Sequence, residues 1–541
     1  MREMGTRIRH ARVVLALCLL ALVACAPVSS TVRRNATATP TEVVGSPPPL
    51  ADFPTVDPAY IYDQLAHMAT SFPHREAGYD NGLPPTQNGH DEFAAYWAQE
   101  IQSDLAGFGP TARRLDFAIK GWVRRPAVVP AFNMEVSVPG AAHPEQVVVI
   151  GCHYDSEASS TQSANDDASG CAIELGVAKA LGTYWRAHHA YPARTLRFVL
   201  FDAEEQGLFG SFDYVNNSIA GDRANVVAMF NEEQNGIAYP LRFLGKASNP
   251  LLPFYMDVTP LTSNPLYPQQ SQLTPAQVAA ITRFRALLGT AAPAVFQQFR
   301  ALGQGTADYF GANGQAASQP IFTPGQQSYV TQEEDTLGSS DQVPFTLAGI
   351  ACDTLVGNST YYDPQPLPWS YPYDQPQDTI QLMNVYAHHT PDAAPTLKLA
   401  LALPGMVTGW MLAQPDVLGT AAASAGPIAA ISDVGQTVAG QSLALDGRAA
   451  FDPAGGALSY RWSFGDGASA TGPATSHTYA APGTYALVLT VQSPGGTRQI
   501  TKSVTVTAQA QPVTNPYADY PADGNPPHNP NFTIPPQTGT P

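Results

Sequence analysis

The chain has 541 residues, 44% of them apolar, and its 27 Lys and Arg against 44 Asp and Glu leave a formal net charge of −17. That is more than one ordinary domain needs and enough apolar side chain to bury a large core, so two or three folded units are expected and disorder throughout is excluded. The acidic balance disfavours nucleic acid and anionic membrane as partners, while 50 prolines and 44 glycines point to long loops and linkers.

At the amino terminus, Arg2, Arg7, Arg9 and Arg12 precede the apolar stretch Val13 to Val23, and the segment closes on Leu22-Val23-Ala24-Cys25. This reads as an export signal over residues 1–25, too short for the roughly 20 residues of a spanning helix. The closing tetrapeptide resembles a bacterial lipobox with Cys25 as the lipidated residue; a plain signal peptide that contains Cys25 is the alternative. Either reading puts the protein outside the cytoplasm, lipid-anchored to the envelope or secreted, with membrane contact only through a lipid anchor. Residues 26–55, rich in Thr, Pro, Ser and Val without a periodic apolar face, read as a disordered tether.

A folded unit is expected over residues 56–414. Apolar residues at helical spacing predict helices over Tyr60 to Phe72 and His90 to Leu105, with Asn88-Gly89 breaking the chain before the second. Phe117 to Val123, Phe132 to Val138, Val147 to Cys152 and Leu196 to Phe201 read as strands. Ala172 to Tyr184 between the last two reads as a helix, so strand, helix and strand alternate. The expected class is α/β, a mostly parallel mixed sheet covered by helices. From Pro250 to Glu334 the chain reads as an irregular insertion around one helix, Pro275 to Leu288. A strand at Gly349 to Cys352 and helices over Ile380 to Ala387 and Ala394 to Leu403 complete the unit.

Residues 415–426 read as a linker. Beyond it, Ser442 to Leu445, Leu458 to Trp462, Tyr485 to Val491 and Ser503 to Val506 alternate as short strands of a small immunoglobulin-like β-sandwich. Trp462-Ser463-Phe464-Gly465-Asp466-Gly467, with His477-Thr478-Tyr479 and Pro482-Gly483-Thr484-Tyr485, resembles the signature of polycystic-kidney-disease-type (PKD) domains over residues 427–508. Such a module implies attachment to a polymer, surface or partner, or a plain spacer. The Pro-rich residues 509–541 read as an extended tail. With Cys18 and Cys25 assigned to the signal, Cys152, Cys171 and Cys352 remain. Cys152 and Cys171 are either a disulfide or two small buried residues.

Chemistry concentrates at three places. Val147 to Cys152 runs into His153-Tyr154-Asp155; a small acidic loop follows, Ala164-Asn165-Asp166-Asp167-Ala168-Ser169-Gly170; and Leu196 to Phe201 runs into Asp202-Ala203-Glu204-Glu205-Gln206-Gly207. Burying an unpaired carboxylate costs roughly several kcal/mol, so acids at the end of a buried strand call for a cation or a substrate. The carboxyl ends of strands are where open α/β sheets hold ligands. Mixed nitrogen and oxygen donors suit zinc, and also manganese or cobalt. Singly, each piece has a plainer reading: His153 as a hydrogen-bonded core imidazole, Glu204 and Glu205 as a solvated loop, Asp166 and Asp167 as a helix cap. Their order in one chain favours the joint reading.

That order resembles the co-catalytic di-zinc aminopeptidases of metallopeptidase family twenty-eight, which also holds glutamate carboxypeptidases and has glutaminyl cyclases as relatives. The resemblance spans residues 56–403. It implies two divalent metal ions, with zinc the expected metal, bound by His153, Asp166, Glu205, Glu233 and Asp374, with Asp166 bridging. It implies Asp155 as the acid that orients His153, Asp167 as a bystander, and Glu204 as the general base toward a water shared by the metals. Glu233, from Asn231-Glu232-Glu233, stands where the family has Asp, and Glu232 is the fallback. Asp374, in Tyr373-Asp374-Gln375-Pro376-Gln377-Asp378-Thr379, stands where the family has a second histidine. A carboxylate can bind zinc at about 2.0–2.2 Å, and the exchange is expected to weaken Lewis acidity and favour a harder ion. His388 and His389, on the following helix, are expected at the surface. Ser340-Asp341-Gln342 with Pro344-Phe345 resembles a pocket-lining segment, Gln342 departing from the family's histidine. Tyr361, Tyr362, Trp369, Tyr371 and Tyr373 form either an aromatic wall for substrate or loop packing. The activity implied is a metal-dependent exopeptidase on peptide substrates, first an aminopeptidase, with carboxypeptidase or glutaminyl cyclase action as relatives' chemistry. A non-catalytic adhesion protein with a degraded metal site is the alternative from another class.

Overall fold

The computed structural model describes residues 52–508 with several breaks, the longest being 120–128, 241–250, 302–329 and 357–373. The export signal, most of the tether, the Pro-rich tail, His389 and the five aromatic residues between 361 and 373 lie outside the described residues.

Helix α1, Pro58–Ser71, starts where the Asp57 carboxylate accepts from the Ala59 amide at 2.9 Å and proline occupies the first turn. It buries Ile61, Leu65 and Met68. Helix α2, His90–Asp104, buries Phe93, Trp97 and Ile101. Helix α3, Ala168–His188, is buried along almost its whole length, and it ends where His189 takes the left-handed conformation (φ 50°).

The main sheet has eight strands: β1 Thr111–Ile119, β2 Val129–Val138, β3 His143–His153, β5 Arg194–Phe201 and β6 Val226–Glu233, followed by β7 Phe254–Val258, β8 Val330–Glu334 and β9 Cys352–Val356, with the short strand β4 Ala190–Pro192 outside it. Their order is β1-β2-β5-β3-β6-β9-β7-β8. The four central strands β5, β3, β6 and β9 run parallel, and antiparallel pairs flank them. From Val147 to His153 every residue of β3 is buried, as expected of a strand covered on both faces. The register sets up the site. His153 pairs with Phe201, the residue before Asp202, and Gly151 pairs with Asn231, two residues before Glu233. Parallel pairing therefore brings all three acidic strand ends to one edge.

Several expectations need correction, the first being the strand read from Phe117, which starts at Thr111. The stretch read as an irregular insertion supplies β7 and β8 at the far edge of the sheet, and its helix runs on to Ala301. The strand expected from Gly349 begins at Cys352, because Gly349 turns the chain with φ +74°. Helices at Ile380–His388 and Ala394–Ala413 follow, the second ten residues longer than its apolar run suggested. Among the described residues no helix is long and apolar enough to cross a membrane.

The segment read as a linker contains strand β10, Thr420–Ala422, paired antiparallel with β4. The C-terminal strands form a five-stranded sheet and a two-stranded sheet around Trp462, Leu487, Leu489, Val491 and Ile500. The indole of Trp462 donates to the Gly472 carbonyl at 2.9 Å, which satisfies its one polar atom in that core.

Candidate metal centre

His153 is fully buried at the end of β3. Its Nε2 lies 2.9 Å from Asp166 Oδ1 and 3.7 Å from Glu233 Oε1, and its Nδ1 lies 3.5 Å from Asp155 Oδ1. His153, Asp166 and Glu205 offer one ring nitrogen and two carboxylate oxygens within 4.8 Å of one another, and His153, Asp167 and Glu233 do the same. Four of the five expected ligands thus meet. Asp167, read as a bystander, joins them: its Oδ1 caps α3 through the Gly170 amide at 3.0 Å, while its Oδ2 is buried without a hydrogen bond.

Asp374 stands beside this group, outside both triads. Burial, then the neighbouring Asp166 carboxylate, push its pKa well up. After burial it is also the largest influence raising the Glu205 pKa. Ser159 Oγ donates to its carbonyl at 2.6 Å, and Asp374 holds φ +59°. Ser163, Ala203 and Gln234 also take positive φ next to the cluster. Non-glycine residues held there cost of order 1–3 kcal/mol each and persist only where surrounding structure holds them.

Asp155 does two things. Besides facing His153, it accepts from the amides of Glu204 at 3.0 Å and Glu205 at 3.3 Å, so it also shapes the turn that presents both acids. Glu205 Oε1 accepts from the Glu157 amide at 3.1 Å. Glu204 belongs to neither triad, yet burial apart it is the strongest influence on the imidazole. Burial works against a charged His153, and Glu204 and Glu233 outweigh it, holding its pKa well above the usual histidine range. Burial pushes Glu204 well up, His153 opposes, and Glu233 and Asp341 add to the rise.

Sequence reasoning missed several supports. The Asp378 carboxylate accepts from the amides of Asn165 at 2.9 Å and Asp166 at 3.0 Å. Ser340 Oγ donates to Glu233 Oε2 at 2.6 Å. Asp341 is fully buried, and burial brings its pKa to about 7 against the opposing charge of His153. Arg75, fully buried, donates to the carbonyls of Tyr154 at 2.7 Å, Gln162 at 2.7 Å and Ser163 at 3.0 Å, tying together the two loops that carry His153 and Asp166. Gly170 permits the close packing of α3, since a Cβ there would sit 2.3 Å from the Glu232 carbonyl. Gln342, in place of histidine, donates to Asp335 at 3.0 Å. Cys152 and Cys171 are joined in a disulfide, and Cys352 is buried and free.

One imidazole and several carboxylates converge here, with buried oxygens of Asp167 and Asp374 left without partners. Such a donor set fits a divalent cation of zinc or manganese type. Residues 133–274 match the model of Peptidase family M28, and residues 424–508 match that of the PKD domain. The chain therefore holds a segment similar to M28 peptidases, followed by one similar to PKD domains. Among curated proteins it is 30% identical over 213 residues to leupeptin-inactivating enzyme 1 of Streptomyces exfoliatus, covering 39% of this chain and 42% of that protein. It is 29% identical over 146 residues to a probable zinc metalloprotease of Pyricularia oryzae, covering 25% and 28%. The chain spans less than half the length of these relatives. Among solved structures, a zinc aminopeptidase from Bacillus subtilis aligns at TM-score 0.40 and 14% identity, over 65% of this chain and 95% of that one. A glutaminyl cyclase of Porphyromonas gingivalis aligns at 0.41 and 15%, over 66% and 98%.

Proposed function

We propose that this protein is a zinc-type metallopeptidase, a hydrolase that removes residues from the amino terminus of peptides. The reading rests on one observation: two ligand triads share His153, while Glu204, whose amide donates to the Asp155 carboxylate that faces the same imidazole, joins neither. In this reading His153, Asp166, Glu205 and Glu233 would hold two cations, with Asp374 beside Asp166 and Glu205. Bound there, divalent cations would supply Lewis acidity toward the scissile carbonyl and acidify the attacking water. Asp155 keeps Nδ1 of His153 engaged, so that Nε2 faces the cluster. Glu204 takes the proton of the attacking water and returns it to the leaving amine, and its burial raises its pKa toward that task.

Export through residues 1–25 with lipid anchorage at Cys25 belongs to the same proposal, as do the boundaries 56–414 and 427–508. Purified protein incubated with a peptide library and read by mass spectrometry tests it. Stepwise shortening from the amino end, abolished by chelator, is expected. Shortening from the carboxyl end would select the carboxypeptidase reading, and cyclisation of amino-terminal glutamine the cyclase reading. Folded, metal-loaded protein inert toward every peptide would favour adhesion.

A further inference from the structure

Six charges, five of them buried and Arg113 partly exposed, meet where the PKD domain touches the peptidase sheet. Asp433 lies within the PKD match, and its side chain is 4% exposed. It binds Arg113 Nη2 of β1 at 2.8 Å, and Arg197 Nη2 of β5 through its other oxygen. Lys502, on the last PKD strand, is 3% exposed and lies 2.6 Å from Asp222 of the peptidase part and 3.8 Å from Asp433. Arg113 also binds Glu135 of β2 at 2.6 Å, and Tyr214 donates to Glu135 at 2.7 Å. Arg113, Arg197 and Lys502 thus balance Asp433, Asp222 and Glu135.

Each side is neutral by itself, but the close pairings of Asp433 with Arg113 and Arg197, and of Lys502 with Asp222, run across the junction. Within the peptidase part alone, Arg197 would keep Glu135 at 3.9 Å, and Asp222 would lose its lysine. Within the PKD part alone, Asp433 would lose both guanidinium groups. Removing one partner of a buried ion pair is strongly destabilising, so loss of Asp433 or Lys502 would strand charges on the other side of the junction. Other contacts follow the same seam. Strand β10 pairs with β4, the Ala193 amide donates to the Gly419 carbonyl at 3.1 Å, and Phe451 packs so closely on Gly109 that a Cβ there would lie 2.5 Å from the ring.

We infer that the PKD domain is a fixed part of the peptidase fold, locked by Asp433 and Lys502, and neither a free spacer nor a swinging attachment arm. The lock grips Arg197 on β5, the strand that ends at Phe201 and leads into Glu204 and Glu205, so it braces the strand beneath the metal cluster. Whatever surface or polymer the domain contacts is then held at a constant distance from that cluster.

Thermal unfolding of the full-length protein tests this. One cooperative transition is expected, and Asp433→Ala should lower it by about 3 °C or more. Asp433→Leu combined with Arg197→Met should lose less than the sum of the two single changes, since the pair is removed together. If Asp433→Ala does not fold, the wild type still decides. Slow amide exchange at Thr420–Ala422, in step with the peptidase strands, supports the lock. Two independent transitions, an unmoved transition in Asp433→Ala, or exchange at β10 at the rate of open chain would overturn it.

Discussion

Glu232 and Glu233 are neighbours on β6 that serve opposite sides of it. Glu233 accepts from Ser340 Oγ and sits 3.7 Å from His153 Nε2, whereas Glu232 accepts from Thr408 Oγ1 at 2.5 Å on the helix packed behind the sheet. The alternation of a strand decides which acid reaches the cluster. Glu233→Gln is expected to weaken metal binding at least tenfold by titration calorimetry, while Glu232→Gln leaves it unchanged. A loss in the second variant alone would transfer the ligand role to Glu232.

Glu232 also carries a pH signature. Burial lifts its pKa to about 8 against a reference of 4.5, with the Thr408 bond opposing. A pKa raised on folding means stability that is fully present below about 4.5 and lost as pH rises through about 8. Glu232→Gln should therefore gain stability over the wild type progressively from about pH 5 to 8, reaching about 3 kcal/mol near pH 7. Chemical denaturation at a series of pH values measures it, and parallel curves would refute it.

His90 titrates in the other window. Burial opposes its charge, but Asp202 at 2.9 Å and Asp91 at 2.9 Å prevail and raise its pKa to about 9. Its contribution is complete below about 6.5 and disappears as pH climbs through 9, worth about 3 kcal/mol. Asp202→Asn should flatten the fall in stability between those limits.

Glu204→Gln should reduce turnover by about 10³-fold and leave the metal content by mass spectrometry unaltered, because the proposed mechanism makes Glu204 the general base and not a ligand. Loss of metal together with activity would make Glu204 a ligand instead.

Asp374→His introduces a nitrogen donor next to Asp166 and Glu205. The ratio of zinc to manganese affinity, read by competition and elemental analysis, should rise about tenfold or more. Metal uptake by the wild type should release protons, since burial raises the pKa of Glu205 and Asp374 and so favours their protonated forms until a cation binds. Calorimetry in buffers of different ionisation enthalpy counts those protons; a count of zero would mean the carboxyls are already ionised.

Much of the site could be read from the chain because the clues are local. His153, Asp166, Glu204 and Glu205 each follow an apolar strand or open a helix within a few residues. Supports that act over distance left no such trace. Asp378 reaches Asp166 across 212 positions, Arg75 reaches Ser163 across 88, and Asp433 reaches Arg197 across 236. A buried arginine whose partners are carbonyls looks, in a one-dimensional string, like any surface arginine. Asp167 was passed over because its Oδ1 does cap α3; only its position against His153 and Glu233 reveals the second role.

Apolar runs of five to eight residues, ending in acids and a histidine, were sufficient to establish a helix-covered sheet with its chemistry at the strand ends, since burial on two faces dictates both the runs and their termini. Tertiary structure alone decided which acids share the imidazole and how tightly the C-terminal domain is held. Those outcomes depend on strand register and on charges brought together from hundreds of residues apart, and pairing energies of that kind exist only once the chain has folded.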